Sequence, residues 1–141
     1  MQITACVFVI LMQLVAMGKP ITCQHTTVVL YNSLPAEMMQ VHCLSKDNDL
    51  GWHTIAYLAT YSFDFNVNFW GRTLFACDIT SDHHPISAHV VVYRGPAYGV
   101  TECDDNCDWS ITPNGFYLNG KFMMPWPSNM NTNVGNKAFV I

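Results

Sequence analysis

Charged residues are scarce in this sequence. They make up 11% of the 141 residues, with six Lys and Arg against ten Asp and Glu, whereas an average soluble protein has about 25%. The formal net charge is −4 at pH 7. A weakly acidic chain with so few basic residues offers no surface that could neutralise a phosphate backbone, so the composition argues against a nucleic-acid partner.

Sequence motifs of enzymes are also missing. The chain has no Gly-x-Ser-x-Gly, no His-Glu-x-x-His and no phosphate-binding glycine loop. Its only glutamates, Glu37 and Glu102, are far apart in sequence. The sequence therefore predicts a protein that is not an enzyme, has no catalytic residues and needs no cofactor. No Asn-x-Ser/Thr sequon occurs either, so N-glycosylation is not expected.

The N-terminus carries a long apolar stretch. Residues 3–17 are almost wholly apolar, and the first charged residue is Lys19. This pattern is typical of a secretory signal peptide and is shorter than the roughly 20 apolar residues that a membrane span needs. Cleavage after Gly18 would leave Cys23 as a spare thiol, whereas cleavage after Cys23 leaves four cysteines, which can pair completely. We expect the later site, a secreted, extracellular mature chain, and no membrane span after cleavage.

The remainder of the chain is predicted to form one domain of short strands. No helical period persists for ten residues, and strand-like runs recur between turn residues. This spacing indicates an all-β fold, an antiparallel β-sandwich of immunoglobulin-like architecture with about seven or eight strands. We predict a signal peptide over 1–23, the sandwich domain over 24–127 and an Asn-rich flexible tail over 128–141. The strand-like runs are residues 26–31, 38–45, 61–65, 73–78, 87–94, 108–112 and 116–119.

Alternation within these runs predicts which side chains form the core. Tyr61, Phe63 and Phe65 alternate with two polar residues, which is the period of a strand with one buried face. These three aromatic side chains should therefore face inward. The strand residues that we expect in the core are Val41, Phe65, Phe75, Val92, Trp109 and Ile111.

Four motifs resemble one protein family in order and spacing. They are V-H-C-x-S-K-D-x-D-L-G at 41–51, G-R-T-L-F-A-C at 71–77, C-x-x-x-C-x-W at 103–109 and G-F-Y at 115–117. With these motifs the sequence resembles the plant self-incompatibility protein S1 family, whose members are also called S-protein homologues. The resemblance implies the same sandwich fold and a secreted cell–cell signalling ligand. In the family's best-known role, such a protein is secreted by the stigma and engages a receptor on incompatible pollen.

The cysteines after residue 23 are expected to form two disulfides in an oxidising compartment. Cys43, Cys77, Cys103 and Cys107 permit three pairings, and a bond between the last two would close only a very small loop. Cys43 and Cys107 both lie on predicted strands with inward-facing neighbours. We therefore predict the bonds Cys43–Cys107 and Cys77–Cys103, each worth about 3–4 kcal/mol in the chain-entropy model.

Two kinds of chemistry compete with a purely structural role for these cysteines. His84 and His89, followed by the last two cysteines, have spacings that a structural zinc site could use. Secretion favours oxidised cysteines, however, so we expect no metal site. His42 beside Cys43 suggests a thiol nucleophile, but adjacent strand residues point to opposite faces, so the two side chains should diverge.

The sequence favours a protein that is recognised and performs no chemistry. We expect a monomeric ligand whose partner is a cell-surface receptor, acting in pollen self-incompatibility or in another reproductive or developmental process. The competing hypothesis is a secreted defence or effector protein that acts on membranes or microbes, although the chain has no cationic amphipathic segment. A zinc-dependent or thiol enzyme is the third hypothesis.

Recognition is expected in loops, because a rigid scaffold leaves loop side chains free to face a partner. We nominate the loops 46–53, 80–86 and 95–106. Asp47 and Asp49 are expected to shape their own turn rather than to contact a partner. Trp70 also lies near a turn and is a further candidate for exposure. The candidate receptor contacts are Lys46, Asn48, Trp52, His83, His84 and Tyr98.

Overall fold

The computed structural model describes residues 24–68, 70–99 and 102–128. The predicted signal peptide, its cleavage site and Cys23 lie outside the described residues, as does the predicted tail from residue 129 onward. Within those three ranges, no helix has the length and apolar character needed to cross a membrane.

The described part of the chain forms nine strands and one short 3-10 helix, Pro96–Tyr98. The strands are β1 (His25–Asn32), β2 (Met39–Leu44), β3 (Asp49–Ile55), β4 (Thr60–Asn66), β5 (Leu74–Ser81), β6 (Ala88–Arg94), β7 (Asn106–Thr112), β8 (Gly115–Leu118) and β9 (Lys121–Met124). Seven of them correspond to the predicted runs. β3 and β9 were not predicted, because each is short or largely exposed and lacks an uninterrupted inward-facing stripe.

The strands pair into two sheets that enclose one core, which confirms the predicted all-β sandwich. The first sheet has the order β4-β1-β7-β8-β9 and the second has the order β3-β2-β5-β6. One pairing departs from the predicted antiparallel arrangement, because β1 runs parallel to β7, with Leu30 opposite Trp109. Parallel neighbours require a long crossover connection, and here the crossover includes all four strands of the second sheet.

The core lies between the sheets. All six of the predicted core residues are buried there, which confirms that prediction. On β4, Tyr61 and Phe63 share a face with Phe65 as predicted, but of the three only Phe65 is buried, and the other two are partly exposed. Its ring centroid lies 4.5 Å from that of Phe75 on the second sheet. Aromatic pairs of this kind contribute about 0.5–1.5 kcal/mol beyond the burial of their area.

A bulge in β6 allows the two sheets to share a hydrogen bond. The register between β5 and β6 shifts between Phe75 and Ala76, which makes Val92 the extra residue on β6. The indole N–H of Trp109, on the first sheet, donates to the main-chain oxygen of Val92 at 3.1 Å. Both residues are buried, so this bond satisfies two polar groups that water does not reach.

The disulfides differ from the predicted pairing. Among the described residues the bonds are Cys43–Cys77 and Cys103–Cys107, so the predicted Cys43–Cys107 and Cys77–Cys103 pairs are wrong. Cys43 and Cys77 face each other directly across β2 and β5, with Cα atoms 4.0 Å apart. Cys103 and Cys107 have Cα atoms 5.4 Å apart, a separation that a disulfide readily spans. The strand register decides the first bond, and the loop that enters β7 brings the second pair together despite its small size.

Asn32 stabilises the end of the sandwich where β1 finishes, which we call the Asn32 end. Its side-chain amide is fully buried and donates to the main-chain oxygens of Glu37 and Ile55, each at 2.9 Å. Its Oδ1 accepts from the main-chain N–H of Leu34 at 2.9 Å. Because each of these polar groups has a partner, burying the amide costs little, whereas removing it would leave buried groups unpaired.

Candidate recognition surface

The nominated loops lie at two different ends of the sandwich. β2 and β5 run antiparallel, so the turn that follows β2 and the loop that follows β5 lie at opposite ends. The candidate contacts Lys46, Asn48 and Tyr98 lie together at one end. His83 and His84 lie at the other, the Asn32 end. Recognition through all three loops at once would therefore require a partner that reaches both ends.

The turn between β2 and β3 is held by local hydrogen bonds. The main-chain N–H of Ser45 donates to the oxygen of Asn48 at 2.7 Å, and the N–H of Asn48 donates to Ser45 Oγ at 3.2 Å. Asp49 accepts a bond from the main-chain N–H of Gly51 at 2.9 Å, which lowers the pKa of the carboxyl below its ordinary value. The prediction that Asp49 shapes its own turn is confirmed, and the side chain of Lys46 stays exposed.

Two further loops are joined into a wall beside this turn. The main-chain N–H of Gly95, after β6, donates to the oxygen of Thr73, before β5, at 2.7 Å. A Cβ on Gly95 would collide with the main-chain oxygen of Gly71, so only glycine permits this close approach. The hydroxyl of Tyr98 then donates to the main-chain oxygen of Arg72 at 3.2 Å. These bonds fix the two loops relative to each other and hold the phenol ring in place.

The turn and the wall enclose a groove of about 740 Å³, a volume typical of ligand sites. We call it the loop-end groove. Parts of β2, β4, β5 and β6 contribute to its lining, together with the cationic side chains of Lys46 and Arg72. Trp70 and Tyr98 also line it and are 70% and 53% exposed. The groove therefore combines two aromatic surfaces with two positive charges.

Only part of this groove was predicted from the sequence. Lys46, Asn48 and Tyr98 were nominated as contacts, and Trp70, a candidate for exposure, is exposed. Arg72 was missed as a member of the same surface. Its signal in the sequence was its position directly after Gly71, in the turn that precedes a strand, which is where an exposed side chain belongs.

Trp52 lies on a strand rather than in a loop. Residues 49–53 belong to β3, so the nomination of 46–53 as a loop is wrong for its second part. The polar residues and Gly51, at φ 76°, concealed the strand. Trp52 lies opposite His42 on the outer face of the second sheet, with ring centroids 4.9 Å apart, and it is 60% exposed. Trp52 is therefore an exposed aromatic side chain that packs against the ring of His42.

The nominated loop 80–86 begins later than predicted, because Thr80 and Ser81 still belong to β5. Glu37, which is buried, organises the loop by accepting 2.9 Å hydrogen bonds from the Ser81 hydroxyl and the His83 main-chain N–H. Burial alone would raise the pKa of Glu37, but these bonds and the nearby imidazole outweigh it and lower the pKa. The ring of His83 lies 3.2 Å from the carboxylate and is exposed to solvent.

His84 packs against the protein. Its ring stacks on Trp126 with centroids 4.2 Å apart, and its Nδ1 lies 3.1 Å from Ser81 Oγ. The side chain is half-buried. Of the two nominated histidines, therefore, only His83 presents most of its ring to a partner.

The arrangement supports binding chemistry. The bond between Cys103 and Cys107 leaves neither sulfur as the free thiolate that the zinc hypothesis required. The described residues contain no group of three or more His, Cys, Asp or Glu side chains that could hold a metal. The thiol hypothesis fails because Cys43 is buried in a disulfide, while His42 pairs with Asp49 on the outer face. Hydrogen bonds, charge and aromatic contacts are what this surface offers.

Fold and surface together define a small, disulfide-bonded β-sandwich with a preformed groove at one end. The family model for the plant self-incompatibility protein S1 matches residues 27–133. The chain therefore belongs to the plant self-incompatibility protein S1 family, and the resemblance seen in its motifs is confirmed.

Several relatives agree with this assignment. S-protein homolog 5 of Arabidopsis thaliana is 33% identical over 111 residues, which cover 77% of this chain and 84% of that protein. S-protein homolog 2 of the same plant is 34% identical over 91 residues, covering 63% of this chain and 56% of that protein. Self-incompatibility protein S1 of Papaver rhoeas is 32% identical over 77 residues, 55% of either chain. The match thus spans little more than half of two of these relatives.

A solved structure shares the fold. It belongs to the SPH (Self-Incompatibility Protein Homologue) proteins, described as a widespread family of small, highly stable, secreted proteins from plants. The TM-score is 0.56 with 20% sequence identity, and the match covers 75% of this chain and 93% of that chain. This likeness supports the sandwich architecture.

Proposed function

We propose that this protein is a secreted ligand for cell–cell signalling that a cell-surface receptor recognises through the loop-end groove. Family membership supports the proposal, since one relative is named for self-incompatibility and a solved relative is described as secreted. The main structural support is that three of the nominated contacts line the groove together with the exposed Trp70 and the cationic Arg72. Aromatic residues and arginine are the usual anchors of protein interfaces.

Secretion requires the N-terminal segment to be removed. We propose that residues 1–23 are a cleaved signal peptide and that the mature chain starts at or near Gln24. The described strands begin at His25, so this cleavage would leave the sandwich intact. The two disulfides of the described residues lie within this mature chain, and an oxidising compartment favours such bonds.

Self-incompatibility, or another reproductive or developmental process, is the proposed setting. The groove also suits a signalling role on physical grounds, because its walls are already held by hydrogen bonds before any partner arrives. A preformed surface loses little conformational entropy on binding, which favours affinity.

Loop exchange tests this function directly. Residues 45–48 or 95–99 would be replaced by the corresponding residues of S-protein homolog 5, with an exchange of 82–87 as the matched control at the Asn32 end. Circular dichroism would report folding, and binding of labelled protein to cells that bind the wild type saturably would report recognition. We expect the first two exchanges to abolish binding and the third to preserve it.

The opposite result would contradict the proposal. If all three folded chimeras bind the same cells as the wild type does, recognition lies elsewhere, on a sheet face or in the segment after residue 128. Equal binding to protein-free lipid vesicles would instead favour a defence protein that acts on membranes.

A further inference from the structure

We infer that the loop-end groove binds an acidic oligosaccharide, one whose sugar rings carry carboxylates. The inference deepens the proposed function and rests on the same groove. It differs in that it concerns a free ligand whose binding to the purified protein needs no receptor.

Charge is the first observation. The chain is acidic overall, with a net charge of −4, yet Lys46 and Arg72 both line the groove. In the described ranges, the one Lys or Arg that forms an ion pair is Lys121, with Glu102, so no carboxylate neutralises either groove cation. Asp47 is the single acidic residue among the described residues of the lining. Two cations against one carboxylate leave a surplus of one positive charge, which favours an anionic ligand, and a guanidinium matches a carboxylate with two parallel hydrogen bonds.

The aromatic side chains are the second observation. Trp70 and Tyr98 are the large exposed rings of the lining. A sugar ring has an apolar face of C–H groups and hydroxyls around its edge. An exposed aromatic ring can pack against the C–H face while the hydroxyls stay in contact with polar groups. The bond from the Tyr98 hydroxyl to Arg72 fixes the ring beforehand.

The remaining polar lining is the third observation. Apart from His89, it is made of amides and hydroxyls, namely Asn48, Asn66, Asn68, Ser45 and Thr73. An amide side chain both donates and accepts hydrogen bonds, as a sugar hydroxyl does. The amide of Asn68 is oriented, because its Oδ1 accepts from the main-chain N–H of Arg72 at 2.8 Å. The groove therefore offers a partner for each chemical feature of an acidic sugar. The cations match its carboxylates, the aromatic rings match its C–H faces, and the amides match its hydroxyls.

An acidic peptide is the competing ligand. An extended peptide gains most of its affinity by adding main-chain hydrogen bonds to a free strand edge. The lining residues of β2 and β5 lie on the two central strands of the second sheet, which are paired on both sides and offer a peptide no free edge. Phe65, Asn66 and His89 lie on the edge strands β4 and β6, so a peptide is given a titration of its own below.

Calorimetric titration of the purified mature protein tests the inference. The probe is an oligogalacturonate hexamer, with the same oligosaccharide after reduction of its carboxyls as one control and a polyglutamate peptide as the other. We expect binding of the oligogalacturonate alone, weakened by added salt because exposed charges are screened. Arg72→Gln should weaken binding by about tenfold or more, since hydrogen bonds to charged groups are among the strongest. Lys46→Gln and Trp70→Ala should also weaken it.

Arg94→Gln is the matched control, because Arg94 is an exposed arginine outside the groove lining. It should leave binding unchanged. The inference would be overturned if the oligogalacturonate did not bind, or if the reduced oligosaccharide or polyglutamate bound as tightly as it does. It would also be overturned if Arg94→Gln weakened binding as much as Arg72→Gln does.

The two proposals fail separately. If the oligogalacturonate does not bind while cell binding still depends on the groove, the inference is wrong and receptor recognition stands. If the oligogalacturonate binds but substitutions in the groove leave cell binding unchanged, the receptor contact lies elsewhere and the oligosaccharide site stands.

Discussion

The indole N–H of Trp109 donates to the main-chain oxygen of Val92 across the two sheets, at 3.1 Å. Val92 is the extra residue of the β6 bulge, so this oxygen lies where the strand ladder is interrupted. Both residues are nearly inaccessible to water. The bond therefore ties the sheets together at a position where loss of either partner leaves a buried polar group unpaired.

Trp109→Phe should lower the free energy of unfolding by about 1–3 kcal/mol, because the Val92 oxygen would lose its donor inside the core. Urea denaturation of the purified protein measures the change. Trp52→Phe is the matched control, because Trp52 is 60% exposed on the outer face, and it should change the free energy little. Equal effects of the two substitutions would contradict this account of the sheet contact.

The disulfide pairs predict a pattern of coupling. Cys43→Ala, Cys77→Ala and the double variant should be equally destabilised, since each removes the same bond. The cysteines of this pair are 34 residues apart and those of the second pair only 4. The chain-entropy model therefore expects a loss of about 4 kcal/mol for the first bond and about 2 kcal/mol for the second. Coupling of Cys43 with Cys107 in such a cycle would contradict the structure.

Glu37 predicts how stability depends on pH. Because its folded-state pKa is lowered, its ionised form contributes stability that is present above the ordinary value of 4.5 and is lost as the pH falls through the folded value. Glu37→Gln should therefore be less stable than the wild type at pH 7, and the difference should shrink in acid. Urea midpoints measured from neutral to acidic pH test this. Glu102→Gln, at an exposed glutamate, is the control, and a difference that does not change with pH would refute the role of Glu37.

Processing is testable on the secreted protein. Intact mass and N-terminal sequencing should give a start at or near Gln24, and thiol titration should find no free cysteine, because the four cysteines of that chain are paired. A start at Lys19 with one titratable thiol would show that cleavage occurs after Gly18.

The sandwich could be predicted because its strands carry the signal of one buried face. Phe65, Val92 and Ile111 all fell on the predicted inward faces and are buried. The parallel pairing of β1 with β7 could not be predicted, since it joins segments separated by the whole second sheet. Local periodicity holds no information on which distant strand becomes a neighbour.

The disulfides and the groove show the same limit. The Cys43–Cys77 bond follows from the register of β2 on β5, which the sequence alone leaves open. Likewise, Arg72 meets Tyr98 only because Gly71 and Gly95 allow two loops to approach closely. Loops were correctly expected to carry exposed side chains, but which loops share an end depends on strand order.

The most direct test of receptor recognition is a comparison of Tyr98→Ala with Tyr57→Ala in saturation binding to intact cells. Both tyrosines are exposed, 53% and 42%, but Tyr57 lies in the turn between β3 and β4, outside the loop-end groove. We predict that Tyr98→Ala weakens binding by about 30-fold, the loss that corresponds to about 2 kcal/mol at an anchor residue, and that Tyr57→Ala binds as the wild type does. Equal affinities for both variants, with folding confirmed by circular dichroism, would contradict recognition through the loop-end groove.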